Sequence, residues 1–271
     1  MKILLTGANG YIGKRLLPIL TEKGHEVVCL VRDPRRFTVP ELLKSHVQVV
    51  KADLLDAESL QNLPKDIDAA YYLVHSMGSG PADFYATEAT SARNFTEYLS
   101  GTSARQLIYL SGIAKGQNLS RHLASRQHVA GLLQQGQVPV TVLRASILIG
   151  SGSASFEIIR DLVEKLPVMV TPKWLNSLCQ PIAIRDVLFY LSEVLNCQDC
   201  LNHTFDIGGP DVLTYKEMLL QLARIRGLKR YIFTVPVLTP KLSSYWLYFL
   251  TSTTFSLAQS LVESLKGNTV A

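Results

Sequence analysis

Apolar positions along the chain alternate between short runs of strand character and longer stretches of helical period. Residues 2–6 (KILLT) predict a strand. Residues 11–23 predict an amphipathic helix with Ile12, Leu16, Leu17 and Leu20 on one face, closed by Gly24. A second strand is expected at 26–31 (EVVCLV) and a third at 46–51 (HVQVVK). A short helix over 57–63 then leads to a fourth strand at 68–74 (DAAYYLV). A long helix over 83–99, a fifth strand at 105–110 (RQLIYL), a helix over 122–135 and a sixth strand at 139–144 (PVTVLR) follow. These strands are apolar at nearly every position, as a sheet buried on both faces requires. The rhythm predicts an α/β fold with a doubly wound parallel sheet.

After Gly150 the rhythm changes. Residues 155–166 read as helix, 181–184 as extended, 185–195 as helix and 204–207 as a strand stopped by Gly208, Gly209 and Pro210. Thr214 followed by Glu217 makes a capping box for a helix that runs to Arg226. The expected organisation is a core over 1–150 and a smaller substrate-side portion over 151–271, with 181–210 returning to the core. Residues 242–262 carry no charge and include Tyr245, Trp246, Tyr248, Phe249 and Phe255. Ser and Thr interrupt this run throughout, so it predicts core or pocket-lining helices first, a partner interface second and a membrane span last.

Composition narrows the classes. The chain has 271 residues, 47% of them hydrophobic and 18% charged, which argues against any long disordered stretch. The net charge is +5, and Lys and Arg group only at 32–36 and 224–230 without interleaved aromatics, which argues against a nucleic-acid partner. Lys2 leads straight into a strand, so no signal peptide is expected. Cys29 reads as core. Cys197 and Cys200 form a CxxC with no second pair of ligands at zinc spacing, so no metal is expected, and a reducing, cytoplasmic setting fits.

The chemistry begins at TGANGYIG, residues 6–13. Gly7, Gly10 and Gly13 follow a five-residue strand and open a helix. Gly7 suits a tight turn, Gly10 a close backbone approach to a pyrophosphate, and Gly13 close packing of helix on strand. The helix start then offers N–H groups and the positive end of its dipole to phosphate.

The segments LLTGANGYIGKRLLPIL, KADLLD, QPIAIRDV and FDIGGPDVLTYKEML resemble the extended and atypical branches of the short-chain dehydrogenase/reductase superfamily, the epimerase/dehydratase-like and NmrA-like proteins. The resemblance covers nearly the whole chain. YYLVHSM, SRHLASRQHV and GSGSASFEIIRDLVEKLPVMVTPKW are similar to a bacterial subgroup whose members often carry a further C-terminal domain. It implies a Rossmann fold and a nicotinamide dinucleotide held by Gly7, Asn9, Gly10, Tyr11, Ile12 and Gly13, by Asp53 and Leu54 near the adenine, and by Val74 and His75 after strand four.

Arg32, at the end of the second strand, stands where an acidic residue would bind a ribose 2′-hydroxyl. Its guanidinium suits a 2′-phosphate, and Arg35 or Arg36 can join it, which favours NADP(H) over NAD(H). Asp33 is the complication, because it can instead reach the hydroxyls and leave Arg32 to stack on adenine.

The superfamily's catalytic set is a Ser after strand five and a Tyr-x-x-x-Lys pair on the next helix. Ser111 fits the first. No Tyr here has a Lys four residues later, and the matching positions hold His122 and Arg126. Two readings stand. In one, Arg126 keeps the fixed charge near the ribose and His122 replaces the phenol as proton donor. In the other the site is degenerate and the protein is a redox sensor or assembly partner. The first makes it an oxidoreductase moving hydride to or from a small, mostly apolar carbonyl, enone or imine, with Phe156, Met169, Trp174 and the stretch near Trp246 as pocket candidates. The weakly charged second half argues against a sugar nucleotide.

Overall fold

The computed structural model describes residues 1–74, 84–114, 120–235 and 269–271. In chain order these form β1 (Lys2–Thr6), α1 (Gly13–Glu22), β2 (Glu26–Val31), β3 (Val47–Lys51), β4 (Ala69–Tyr72), α2 (Phe84–Ser100), β5 (Gln106–Gly112), α3 (Arg121–Gln134) and β6 (Val140–Ala145). There follow β7 (Leu148–Ile149), α4 (Ala154–Lys165), β8 (Val168–Pro172), β9 (Leu178–Cys179), β10 (Ile182–Ala183), α5 (Ile184–Glu193), β11 (Thr204–Ile207), β12 (Leu213–Thr214), α6 (Tyr215–Ile225) and β13 (Tyr231–Val235).

Seven strands make one sheet in the order β11-β6-β5-β4-β1-β2-β3. β1 runs parallel to both β2 and β4, β2 to β3, and β4 to β5. Side chains alternate across it. Leu4, Val28, Ala70, Tyr72 and Leu107 meet Ala92, Phe95 and Leu99 of α2 and Val129, Leu132 and Leu133 of α3 in one buried cluster. Tyr71, pointing the other way, donates its buried hydroxyl to the Leu191 carbonyl of α5 at 2.8 Å. Helix α1 packs on β1 and β2 through Leu16 and Leu20, and its Lys23 pairs with Glu193 of α5. Helices therefore cover both faces, as the doubly wound expectation requires. Each fully buried Leu or Ile contributes about 1.5–3 kcal/mol of transfer free energy.

The chain divides into two compact units. The first holds Met1–Ser111, Ser125–Arg144 and Arg185–Phe205, and the second Gly112–Ala124, Ala145–Ile184 and Asp206–Ala271. In the second, β7 pairs with β10 and β8 with β13 in parallel, while β9 pairs antiparallel with β12. Helices α4 and α6 pack together through Ile158, Leu162, Met218 and Leu219. The capping box is present: Thr214 Oγ1 accepts from the Glu217 N–H at 3.1 Å, and the Glu217 carboxylate accepts from the Thr214 N–H at 2.7 Å.

Several expectations are corrected. The helix expected at 57–63 is a single 3-10 turn over Ser59–Asn62. Helix α1 starts at Gly13, because the preceding residues form the glycine turn. Strands β7, β8, β9, β12 and β13 were not expected, being two to five residues long. The uncharged stretch 242–262 lies outside the described residues. Among the described residues no helix is long and apolar enough to cross a membrane.

Candidate nucleotide-binding site

Because the central strands run parallel, their carboxyl ends share one edge of the sheet. The strand order reverses direction between β1 and β4, which opens a crevice at that edge. Thr6 ties the two strands together there. Its hydroxyl donates to the Tyr71 carbonyl at 3.0 Å and accepts from the Leu73 N–H at 3.2 Å.

The glycine turn leaves β1 at this point. Gly7 has φ +69°, and a Cβ on it would stand 2.6 Å from the Leu73 carbonyl oxygen. The Gly10 N–H donates to the Gly7 carbonyl at 2.9 Å and closes the turn. A Cβ on Gly13 would stand 2.3 Å from the same carbonyl, so only glycine lets α1 start so close to the strand. Asn9 and Gly10 are exposed. Ile12 occupies the cap position of α1, and no side chain caps the helix there. A turn whose glycines carry no side chain at Gly7 and Gly10, and which runs into a helix start with no side-chain cap, fits a phosphate group. Tyr11 lies under the Arg15 guanidinium, 4.0 Å from the ring centroid, and its carbonyl accepts from Arg15 at 3.1 Å.

At the end of β2, Arg32 is exposed and makes no ion pair among the described residues. Asp33 caps the 3-10 turn Pro34–Arg36 and accepts from the Arg35 backbone N–H at 3.2 Å and from its guanidinium at 3.0 and 3.2 Å. Arg36 lies 3.9 Å away. Hydrogen bonds from Arg35 hold the Asp33 carboxyl below its ordinary pKa against a desolvation that would raise it, and Arg36 and Lys51 add to the effect. Asp33 thus pairs with Arg35, whose side chain is exposed at the loop surface.

Asp53 follows β3. Its carboxylate accepts from the Leu55 N–H at 3.0 Å, and its own N–H donates to Ser59 Oγ at 2.9 Å. Leu54 is buried, and Asn94 of α2 donates to its carbonyl at 2.8 Å. Val74 packs against the α2 and α3 core. His75 lies outside the described residues.

Ser111 is buried near the end of β5. On α3, the Arg126 guanidinium donates to the Leu110 carbonyl at 3.2 Å, and the Tyr109 hydroxyl donates to the Arg126 carbonyl at 3.3 Å. Burial lowers the Arg126 pKa, while Tyr109 and Glu88 oppose that shift. Burial likewise raises Tyr109, against the pull of Arg126 and a hydrogen bond with Ser111. These contacts bring Ser111 and Arg126 into one polar cluster. His122 is half-buried one turn before Arg126 on α3, in the segment assigned to the second unit.

Glu88 was missed in the sequence. It is 6% exposed on α2 and accepts from the buried Ser125 hydroxyl at 3.0 Å. A signal was there: Glu88, Ala92, Phe95 and Leu99 share one buried helical stripe, and an acid inside such a stripe needs a partner.

The NAD(P)H-binding family model matches residues 7–160. The divinyl chlorophyllide a 8-vinyl-reductase of Zea mays is 24% identical over 87% of this chain and 62% of its own length, so the chain spans about six-tenths of that relative. The photosystem II assembly factor Ycf39 of Trieres chinensis is 22% identical over 90% of this chain and 75% of its own. A nucleoside-diphosphate-sugar epimerase structure from Staphylococcus aureus superposes with a TM-score of 0.77 at 16% identity, covering 98% of this chain and 91% of that one, and so shares the fold. With its glycine turn at the switch point of a doubly wound sheet, the chain belongs to the NAD(P)H-binding family.

Proposed function

We propose that this protein binds NADP(H) and moves a hydride to or from a small, mostly apolar carbonyl, enone or imine. The observation that carries the cofactor choice is the pairing of Asp33 with Arg35 beside the exposed Arg32. An acid so paired repels a 2′-phosphate less, and Arg32 and Arg36 offer it charge. Gly7, Gly10 and Gly13 hold the pyrophosphate against the start of α1, and Arg126 holds the nicotinamide ribose. The bound dinucleotide supplies the hydride. Ser111 orients the substrate oxygen or nitrogen, and His122 exchanges a proton with it. A relative named as a vinyl reductase supports the reductive direction.

The test is calorimetric titration with NADPH, NADP, NADH and NAD, on the wild type and on Arg32→Ala. The phosphorylated pair should bind at least tenfold tighter, and Arg32→Ala should erase that preference. Equal binding of NADPH and NADH by the wild type would overturn the cofactor assignment. Turnover of a carbonyl and enone panel, with His122→Ala as control, then tests the chemistry.

The absence of any Tyr-x-x-x-Lys pair favours a second reading, a non-catalytic redox sensor or assembly protein, and one relative is named as an assembly factor. Binding of both redox forms without any NADPH oxidation supports that reading over the first.

A further inference from the structure

The four cysteines separate by environment. Cys29 and Cys179 are buried, and burial pushes each thiol up to about 12, which leaves them inert near neutral pH. Cys197 and Cys200 are half-buried in the connection between α5 and β11, and their sulfurs lie 2.9 Å apart.

The backbone that carries this pair is pinned. Cys197 occupies the cap position of a 3-10 turn over Gln198–Cys200, and the Cys200 N–H donates to the Cys197 carbonyl at 3.1 Å. Asn196 and Asn202, on either side, adopt left-handed φ values of 60° and 58°. Gln106 of β5 is buried and acts as a bracket. Its amide nitrogen donates to the Val194 carbonyl at 2.8 Å and to Thr141 Oγ1 at 2.9 Å, and its amide oxygen accepts from the Asn196 N–H at 2.7 Å. The Thr141 hydroxyl in turn donates to the Cys200 carbonyl at 2.8 Å. Side chains from β5 and β6 thus hold both sulfurs together before any reaction, which gives one thiol a high effective concentration at the other.

A metal does not explain the arrangement. Asp199 and His203 are close in sequence, but His203 Nδ1 lies 2.8 Å from the Leu201 carbonyl oxygen and its ring stacks on Phe205. Among the described residues no group of three or more His, Cys, Asp or Glu side chains converges to hold an ion.

We propose that Cys197 and Cys200 are a dithiol site that reduces a small disulfide of the glutathione class and becomes an intrachain disulfide. The Cys197 thiolate attacks one sulfur of the small disulfide, which forms a mixed disulfide and releases one small thiolate that takes up a proton. The Cys200 thiol then loses its proton and attacks the Cys197 sulfur, which releases the second small thiol. Two protein thiols are oxidised and one small disulfide is reduced to two thiols. Burial and the contact with Cys197 push the Cys200 thiol up to about 11, which suits it to the second step, and the reverse order gives the same disulfide. That contact is lost once Cys197 carries the mixed disulfide. The site lies at the amino edge of β5 and β6 and is independent of the nucleotide reading.

The experiment equilibrates the full chain with oxidised and reduced glutathione at several ratios, quenches with an alkylating reagent and weighs the intact protein and its cysteine peptides. At oxidising ratios the peptide holding both residues should lose two hydrogens and take up no label, and excess dithiol should reverse this. Cys200→Ser should trap glutathione on Cys197, and Cys197→Ser should trap it on Cys200, with no internal disulfide in either variant. Full alkylation of both residues at every ratio would overturn the proposal. So would glutathione adducts on the wild type without an internal disulfide, or protection that needs added zinc.

Discussion

The Gly7 carbonyl oxygen lies where a side chain on Gly13 would begin, 2.3 Å from the position of its Cβ. The two glycines are six positions apart, and their contact sets how closely α1 starts to β1. Gly13→Ala forces backbone apart and should cost about 1–3 kcal/mol of stability. Gly10 is different, because its nearest neighbour would stand 3.1 Å from a Cβ. Gly10→Ala should keep most of the stability yet weaken NADPH binding at least tenfold. Chemical denaturation and calorimetry on both variants separate the two effects.

Releasing Asp33 should change nucleotide choice. In Arg35→Ala the Asp33 carboxylate loses the guanidinium at 3.0 and 3.2 Å that occupies it. NADPH should then bind more weakly and NADH more tightly, so that their affinity ratio narrows from both sides. Titration of the variant with the two reduced nucleotides measures this ratio.

Glu88→Ala leaves the Ser125 hydroxyl without its buried acceptor and removes the charge that favours protonated Arg126. The expected loss is about 1–3 kcal/mol of stability. Glu88→Gln keeps an acceptor for Ser125 and should recover part of that loss, while NADPH affinity stays reduced if Arg126 holds the ribose. Urea unfolding and nucleotide titration on the two variants distinguish packing from charge.

Thr214 caps α6 through both halves of its box. Thr214→Ala should cost about 1 kcal/mol, read as a lower denaturation midpoint with nucleotide affinity unchanged.

His25 gives an acid-side slope. Burial lowers its pKa from 6.5, and the N-terminal ammonium and Lys23 lower it further. Between the lowered value and 6.5, the unfolded chain binds a proton that the folded chain does not. Stability contributed by neutral His25 is therefore complete above that window, falls as pH drops through it, and levels off below. His25→Gln should flatten this part of a stability profile measured between about pH 5 and 8.

Strands β1, β2, β4, β5 and β6 were legible because burial on both faces leaves them almost wholly apolar, as in EVVCLV. Helix positions followed from periodicity, and the α6 box from Thr214 and Glu217 alone. β8 and β13 were not legible. Each points alternate apolar residues outward, with Val168, Val170, Tyr231 and Phe233 more than half exposed, and the two pair across some sixty residues. The glycine turn could be read because its chemistry is local. The pairing of Glu88 with Ser125 could not, because it needs α2 and α3 side by side. The capture of Asp33 by Arg35 is local, yet the loop pattern alone leaves that carboxylate equally suited to a ribose.

The first unit is discontinuous in the chain, and this bears on how it can be made or cut. Tyr71 finds its acceptor at Leu191, and Gln106 finds two of its partners at Val194 and Asn196. A nascent chain released as far as residue 150 carries the glycine turn and six strands of the sheet, but these buried polar groups have no mates and β6 has no β11 beside it. Such a piece should collapse without locking and remain prone to aggregate until the segment 185–207 emerges from the ribosome. Nucleotide binding should accordingly appear late in synthesis, and a protease cut between 150 and 185 in the finished protein should leave two fragments that stay together.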